Sequence, residues 1–175
     1  MAPELKHVYS ADEYFEYADF KDLDSCAKAL DDLESYMRAE GPFDAVMAFS
    51  QGASLAVSYI AQRMGQDLSL LNAPMFKSAV LFSPIAALHP SLVRRHQAQT
   101  LDAAVDGEVI DIPTALIWGR NDSVADTASI SGLITPRLRE TYVHNGGHEI
   151  PGPRMKDDVR NVVQLIRRVI SLSSY

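Results

Sequence analysis

Gly41-Pro42-Phe43-Asp44-Ala45-Val46-Met47-Ala48-Phe49-Ser50-Gln51-Gly52-Ala53 begins with a Gly-Pro break, continues through an apolar run and ends on a serine flanked by small residues. Beyond it Leu55, Ala56, Tyr59, Ile60 and Met64 recur at helical spacing up to Gly65. A strand, a sharp turn carrying Ser and an immediate helix together make a nucleophile elbow. Small residues are needed around that turn because a Cβ there would strike the neighbouring strand or helix. The usual pattern is G-x-S-x-G, and Ala48 stands in for its first glycine. The elbow sets Ser50 near a helix N-terminus, where backbone N–H groups and the helix dipole favour a developing oxyanion. The N–H of Gln51 is expected to be one oxyanion donor. By itself, a serine between strand and helix is as readily an N-cap.

Three further apolar runs lie downstream: Ser78–Phe82, Thr114–Trp118 and Thr141–Val143. The runs at 45–49, 78–82 and 114–118 are continuous rather than alternating, as expected for parallel strands covered on both faces. Helical spacing joins Cys26, Ala29, Leu30, Leu33, Tyr36 and Met37, with Asp24 or Ser25 as candidate N-cap. Val159, Val162, Val163, Ile166 and Ile170 mark the last helix. Alternating strands and helices predict an α/β fold with a mostly parallel sheet of about four core strands, flanked by helices. We read residues 1–175 as a single domain, with a loop or lid over 85–112 that leaves His89 and His96 solvated.

The third run ends in Gly119-Arg120-Asn121-Asp122 and the fourth in Asn145-Gly146-Gly147-His148. Both therefore deliver a titratable group to the carboxyl edge of the sheet, where active groups of parallel sheets gather. The chain order Ser50, Asp122, His148 is that of the α/β-hydrolase fold. In that arrangement Ser50 attacks a carbonyl, His148 takes its proton and returns it to the leaving group, and Asp122 holds the imidazole tautomer. Asp126 and Asp111 are reserve candidates for the acid, but neither ends a strand so cleanly.

Composition narrows the alternatives. A chain of 175 residues with 47% hydrophobic and 22% charged residues has the profile of a globular domain. The net charge of −7, with no Lys/Arg cluster beyond a pair, excludes an electrostatic footprint for nucleic acid. Cys26 is the sole cysteine, which rules out an intrachain disulfide and any zinc pattern needing two thiolates. We read it as a small apolar side chain on a helix face. No run is long enough to span a membrane and the start does not resemble a signal peptide, so a cytoplasmic protein is expected. No metal or organic cofactor is implied, because no ligand spacing such as HExxH occurs.

The stretch 41–53 resembles the GPFDGVxGFSQGA signature of the fungal serine hydrolases known as the FSH family. Ile112-Pro113-Thr114, Gly119–Val124 and His144–Pro151 resemble that family's later motifs, and Pro3–Asp19 resembles its stretch before the helix that precedes the elbow. The resemblance implies a small hydrolase of carboxylic esters or thioesters, including acyl intermediates of fungal natural-product biosynthesis, with Ser50, Asp122 and His148 in the triad roles. It also implies an opening strand and a His-Gly loop supplying the second oxyanion N–H. Neither is found ahead of Ala45, so the chain reads as an N-terminally truncated version of the fold. Losing one oxyanion donor costs about 10² to 10³ in rate. Strand 45–49 is then expected at an open edge through which the chain forms a homodimer or meets a partner. Alternatively Leu5–Tyr9 forms a replacement strand, with Tyr14, Phe15 and Tyr17 covering the exposed face or lining the pocket. Two rival functions accompany the hydrolase: a pathway cyclase or lyase using the triad as general acid/base, and a binding subunit weakened in catalysis.

Overall fold

The computed structural model describes residues 16–66 and 76–173. Four strands, β1 (Ala45–Phe49), β2 (Ser78–Phe82), β3 (Thr114–Gly119) and β4 (Arg139–His144), form one sheet in the order β1-β2-β3-β4. Every pairing is parallel, with Phe49 beside Phe82, Phe82 beside Ile117 and Gly119 beside His144. This register aligns the carboxyl ends of the strands, so the turns that follow them meet at one edge. The α/β fold is therefore as expected, and β4 extends the predicted 141–143 run at both ends.

The apolar runs are continuous because the inner strands have two covered faces. Ala79, Leu81 and Leu116 point into a core shared with Leu30, Val57, Tyr59 and Ile60 of α1 (Leu23–Glu40) and α2 (Gln51–Gln66). Val80, Phe82, Ala115 and Ile117 point the other way, onto Val162, Leu165 and Val169 of α6 (Lys156–Leu172). The expectation that β1 is covered on both faces does not hold. It is an outer strand among the described residues, and Met47 is 63% exposed.

The helices differ from their sequence reading in detail. α1 is capped by Asp22 rather than Asp24 or Ser25; the Asp22 carboxylate accepts the N–H groups of both. Its predicted stripe is buried at Cys26, Ala29 and Leu30, whereas Tyr36 is exposed and stacks on Phe43. Glu34 joins α1 to α2 by accepting the Tyr59 hydroxyl at 2.6 Å, a bond that lowers the Glu34 carboxyl below its usual range. On α6 the buried line is Val162, Leu165 and Val169, so Val163 and Ile170 face outward. Residues 85–112 are not a bare loop. They hold the single turns α3 (Pro90–Val93) and α4 (Ala103–Asp106), and they bury Ala87, Val93, Leu101, Ile110 and Ile112. His96 is exposed as expected, whereas His89 is half-buried with its Nε2 3.5 Å from Asp106. Between β3 and β4 lies α5 (Thr127–Gly132). Leu5–Tyr9, Tyr14 and Phe15 lie outside the described residues.

Leu116 is fully buried at the centre of the sheet. Leu116→Ala is expected to lower the unfolding free energy by about 2–5 kcal/mol, through lost transfer energy and a residual cavity. Urea denaturation of the two proteins checks this.

Candidate active site

β1 ends at Phe49, and Ser50 makes the turn with φ of 54°, a left-handed backbone that non-glycine residues seldom adopt. Hydrogen bonds hold it there. The Ser50 N–H donates to the Phe82 carbonyl at 2.9 Å, and the Ser50 carbonyl accepts from Ala53 and Ser54. Gln51 is the first residue of α2, so its N–H has no carbonyl one turn back to bind. Its side chain is engaged with the chain ahead of α1, where Oε1 accepts from Tyr17 N–H at 2.7 Å and Nε2 donates to the Ala18 carbonyl at 2.6 Å. Tyr17 is 68% exposed and lies over Gly52. A Cβ at Gly52 would sit 3.1 Å from that ring, so the expected obstruction is the Tyr17 ring rather than a strand or helix.

The ends of β3 and β4 bring Asp122 and His148 to this turn. His148 Nε2 is 2.8 Å from Ser50 Oγ, and its Nδ1 is 3.1 and 3.0 Å from the two Asp122 oxygens. Phe49 lies against the imidazole with ring centroids 5.0 Å apart. The His148 and Asp122 side chains are 9% and 0% exposed. Burial pushes the Asp122 carboxyl up, but the N–H of Ala125, the Ser83 hydroxyl, the N–H of Val124 and His148 outweigh it and hold the group below its usual range. The carboxylate is thus kept ionised where it faces the imidazole. The reserve acids are engaged elsewhere, Asp126 capping α5 and Asp111 pairing with Arg137 at 3.2 Å.

Nothing in the sequence singles out Ser83. It follows β2, carries φ of 43° and is fully buried. Its hydroxyl makes no hydrogen bond of good geometry, yet it lies close enough to Asp122 to favour the charged carboxylate. A lone serine after a strand carries no signal of either property. Ser54 and Ser58 turn their hydroxyls to the carbonyls of Ile85 and Leu88, tying α2 to the chain after β2. Among the described residues no group of three or more His, Cys, Asp or Glu side chains could hold a metal ion. No described helix is long and apolar enough to cross a membrane.

Comparison with known proteins identifies the family and the fold. The family model described as serine hydrolase (FSH1) matches residues 5–160. The chain is 34% identical to the esterase FPY3 of Fusarium mangiferae, over 94% of this chain and 75% of that protein. It is 28% identical to the family of serine hydrolases 2 protein of Saccharomyces cerevisiae, over 80% of this chain and 60% of that one. Among solved structures, esterase RhEst1 from Rhodococcus sp. ECU1013 superposes with a TM-score of 0.57 at 14% identity, over 93% of this chain and 77% of that one, a likeness of α/β-hydrolase fold. With the match running through the elbow and both strand ends that face it, the chain belongs to the FSH1 serine hydrolase family.

Proposed function

We propose that this chain hydrolyses a carboxylic ester or thioester through an acyl-enzyme on Ser50. The observation that carries the reading is the unbroken relay from Ser50 Oγ through His148 to the Asp122 carboxylate. His148 Nε2 accepts the Ser50 proton as Oγ attacks the acyl carbonyl, and the imidazolium gives that proton to the leaving oxygen or sulfur. Asp122 holds the Nδ1 proton in place and stabilises the imidazolium. Water then attacks the acyl-enzyme by the reverse proton route. The N–H of Gln51 donates to the oxyanion. The name of the Fusarium relative favours an oxygen ester, and the same acylation step serves a thioester of the kind met in natural-product assembly.

A fluorophosphonate probe tests the relay directly. Rapid labelling of the native chain, abolished in Ser50→Ala and His148→Ala, is expected. A folded sample that does not label overturns the reading in favour of a binding subunit, and ester turnover that survives Ser50→Ala shifts it to general acid/base chemistry.

Asp122→Asn is expected to lower kcat by about 10⁴, the size of effect seen when a triad acid can no longer hold the imidazole tautomer. Stability carries a second signature. Because the folded carboxyl sits below its ordinary value, its contribution is fully present above the unfolded value of about 3.9 and is lost as pH falls through the folded value. The stability gap between native chain and variant should therefore narrow as pH drops below about 3.9. Urea unfolding at pH 7 and in the acid range measures it.

Association through β1 is a further part of the proposal. Among the described residues its outer edge has no neighbouring strand and lies beside the exposed Met47, which favours pairing with a second copy. Light scattering of the purified chain should give the mass of a dimer, and a lower mass on Met47→Lys.

A further inference from the structure

We propose that His144, a residue with no part in proton transfer, is the positioning residue that holds His148 in register with Ser50. The inference rests on the serine-hydrolase reading for its catalytic meaning, but its geometry stands independently.

His144 is the last residue of β4 and is wholly buried. Its Nδ1 accepts the N–H of Gly146 at 3.1 Å, two residues along the turn that carries His148. An accepting Nδ1 bears no proton, so in the neutral ring the proton lies on Nε2. That Nε2 is buried and has no hydrogen-bond partner among the described residues. A buried donor without a partner costs the fold stability. The imidazole is therefore a poor choice for filling space at this position, and its useful contact is the one made by Nδ1.

Gly146 is a residue through which the two functional turns are joined. Its N–H goes to His144, and its carbonyl accepts the N–H of Asn121, next to Asp122, at 3.1 Å. The His144 carbonyl accepts from Arg120 at 2.8 Å. The ring is flush against the turn. A Cβ on Gly146 would lie 2.9 Å from His144 Nδ1 and 2.5 Å from Glu149 Oε1. On the other side, a Cβ on Gly119 would collide with the carbonyl oxygens of Gly146 and Gly147. The two peptide planes that flank Gly146 are thus each held, the Asn145–Gly146 plane by His144 Nδ1 and the Gly146–Gly147 plane by the Asn121 N–H, and with them the place from which His148 extends towards Ser50 and Asp122. Without the acceptor at Nδ1, the Asn145–Gly146 peptide loses the bond that sets its rotation. Displacements of about 1 Å in such a constellation cost about 10²-fold in rate.

His144→Leu removes the acceptor together with the unpaired donor. His144→Asn keeps an acceptor, because its Oδ1 hangs from Cγ as Nδ1 does. The leucine variant is expected to keep or raise the melting temperature, to lose about 10²-fold in fluorophosphonate labelling rate and in kcat on a p-nitrophenyl ester, and to leave KM unchanged. Hydrogen exchange at the Gly146 amide should accelerate in the same variant. The asparagine variant should restore most of the labelling rate and the Gly146 protection. Leucine labelling at the native rate, or asparagine falling as far as leucine, overturns the proposal. Should His144→Leu not fold, His144→Gln, which places its amide at the Nε2 position and no acceptor at Nδ1, takes its place with the same expectations. If the native chain itself fails to label, the hydrolase reading falls, and the exchange rates of Gly146 alone decide whether His144 positions the turn.

Discussion

The hydrogen bond from the Ser50 N–H to the Phe82 carbonyl is short-range, but most of the molecule stands behind it. A serine with φ of 54° is unfavourable unless its surroundings leave it no alternative, and such residues cost roughly 1–3 kcal/mol each. Here the bond continues the β1–β2 ladder by one residue past Phe49 and Phe82, while the Ser50 carbonyl already opens α2. Sheet and helix therefore hold the two peptides on either side of the Ser50 Cα. Each is held by its own core: Leu81 and Leu116 against Val57 and Ile60 on one face, Phe82 and Ile117 against α6 on the other. What keeps Ser50 in its turn is the burial of these side chains, at a distance from the serine itself.

The neighbouring strand repeats the arrangement. Ser83 follows Phe82 directly, and it too carries a left-handed backbone, its N–H bound to the Ile117 carbonyl at 2.7 Å. Two adjacent parallel strands thus end in the same way, one presenting a hydroxyl to His148 and the other to Asp122. The strain lies where the chain leaves the sheet and the site begins, in keeping with the tendency of unusual backbone conformations to cluster at functional positions.

Much of this is legible in the sequence because central parallel strands are written as unbroken apolar runs, and because residues at their carboxyl tips are easily found once the strands are. Ser78–Phe82 and the run at 114–118 can be read in that way, the outer Ala45–Phe49 is apolar enough to be read with them, and Ser50, Asp122 and His148 follow from their position. What escapes lacks a periodic signature. Among the described residues β4 is an outer strand, and its charged, partly exposed Arg139 and Glu140 hide where it starts. α1 begins among several acidic residues and a serine, any of which could cap it, and only the fold selects Asp22. The apolar residues of 85–112 are spaced by bridges such as Leu88 with Thr100 and Ile110 with Ile134, not by a helix or strand repeat. Ser83 and His144 are set apart only by burial and local geometry, properties that a single sequence does not display.

Gln51 is also a mechanical joint. Its side-chain amide grips the backbone of Tyr17 and Ala18 in both directions, while its own N–H opens α2 beside Ser50. The length of chain that leads into α1 is therefore fastened to the very residue that follows Ser50, and Tyr17 lies across Gly52 on the same turn. The entrance segment and the elbow form one lever: force applied at residues 17–18 is felt at the peptide beside Ser50, with no intervening loop to absorb it.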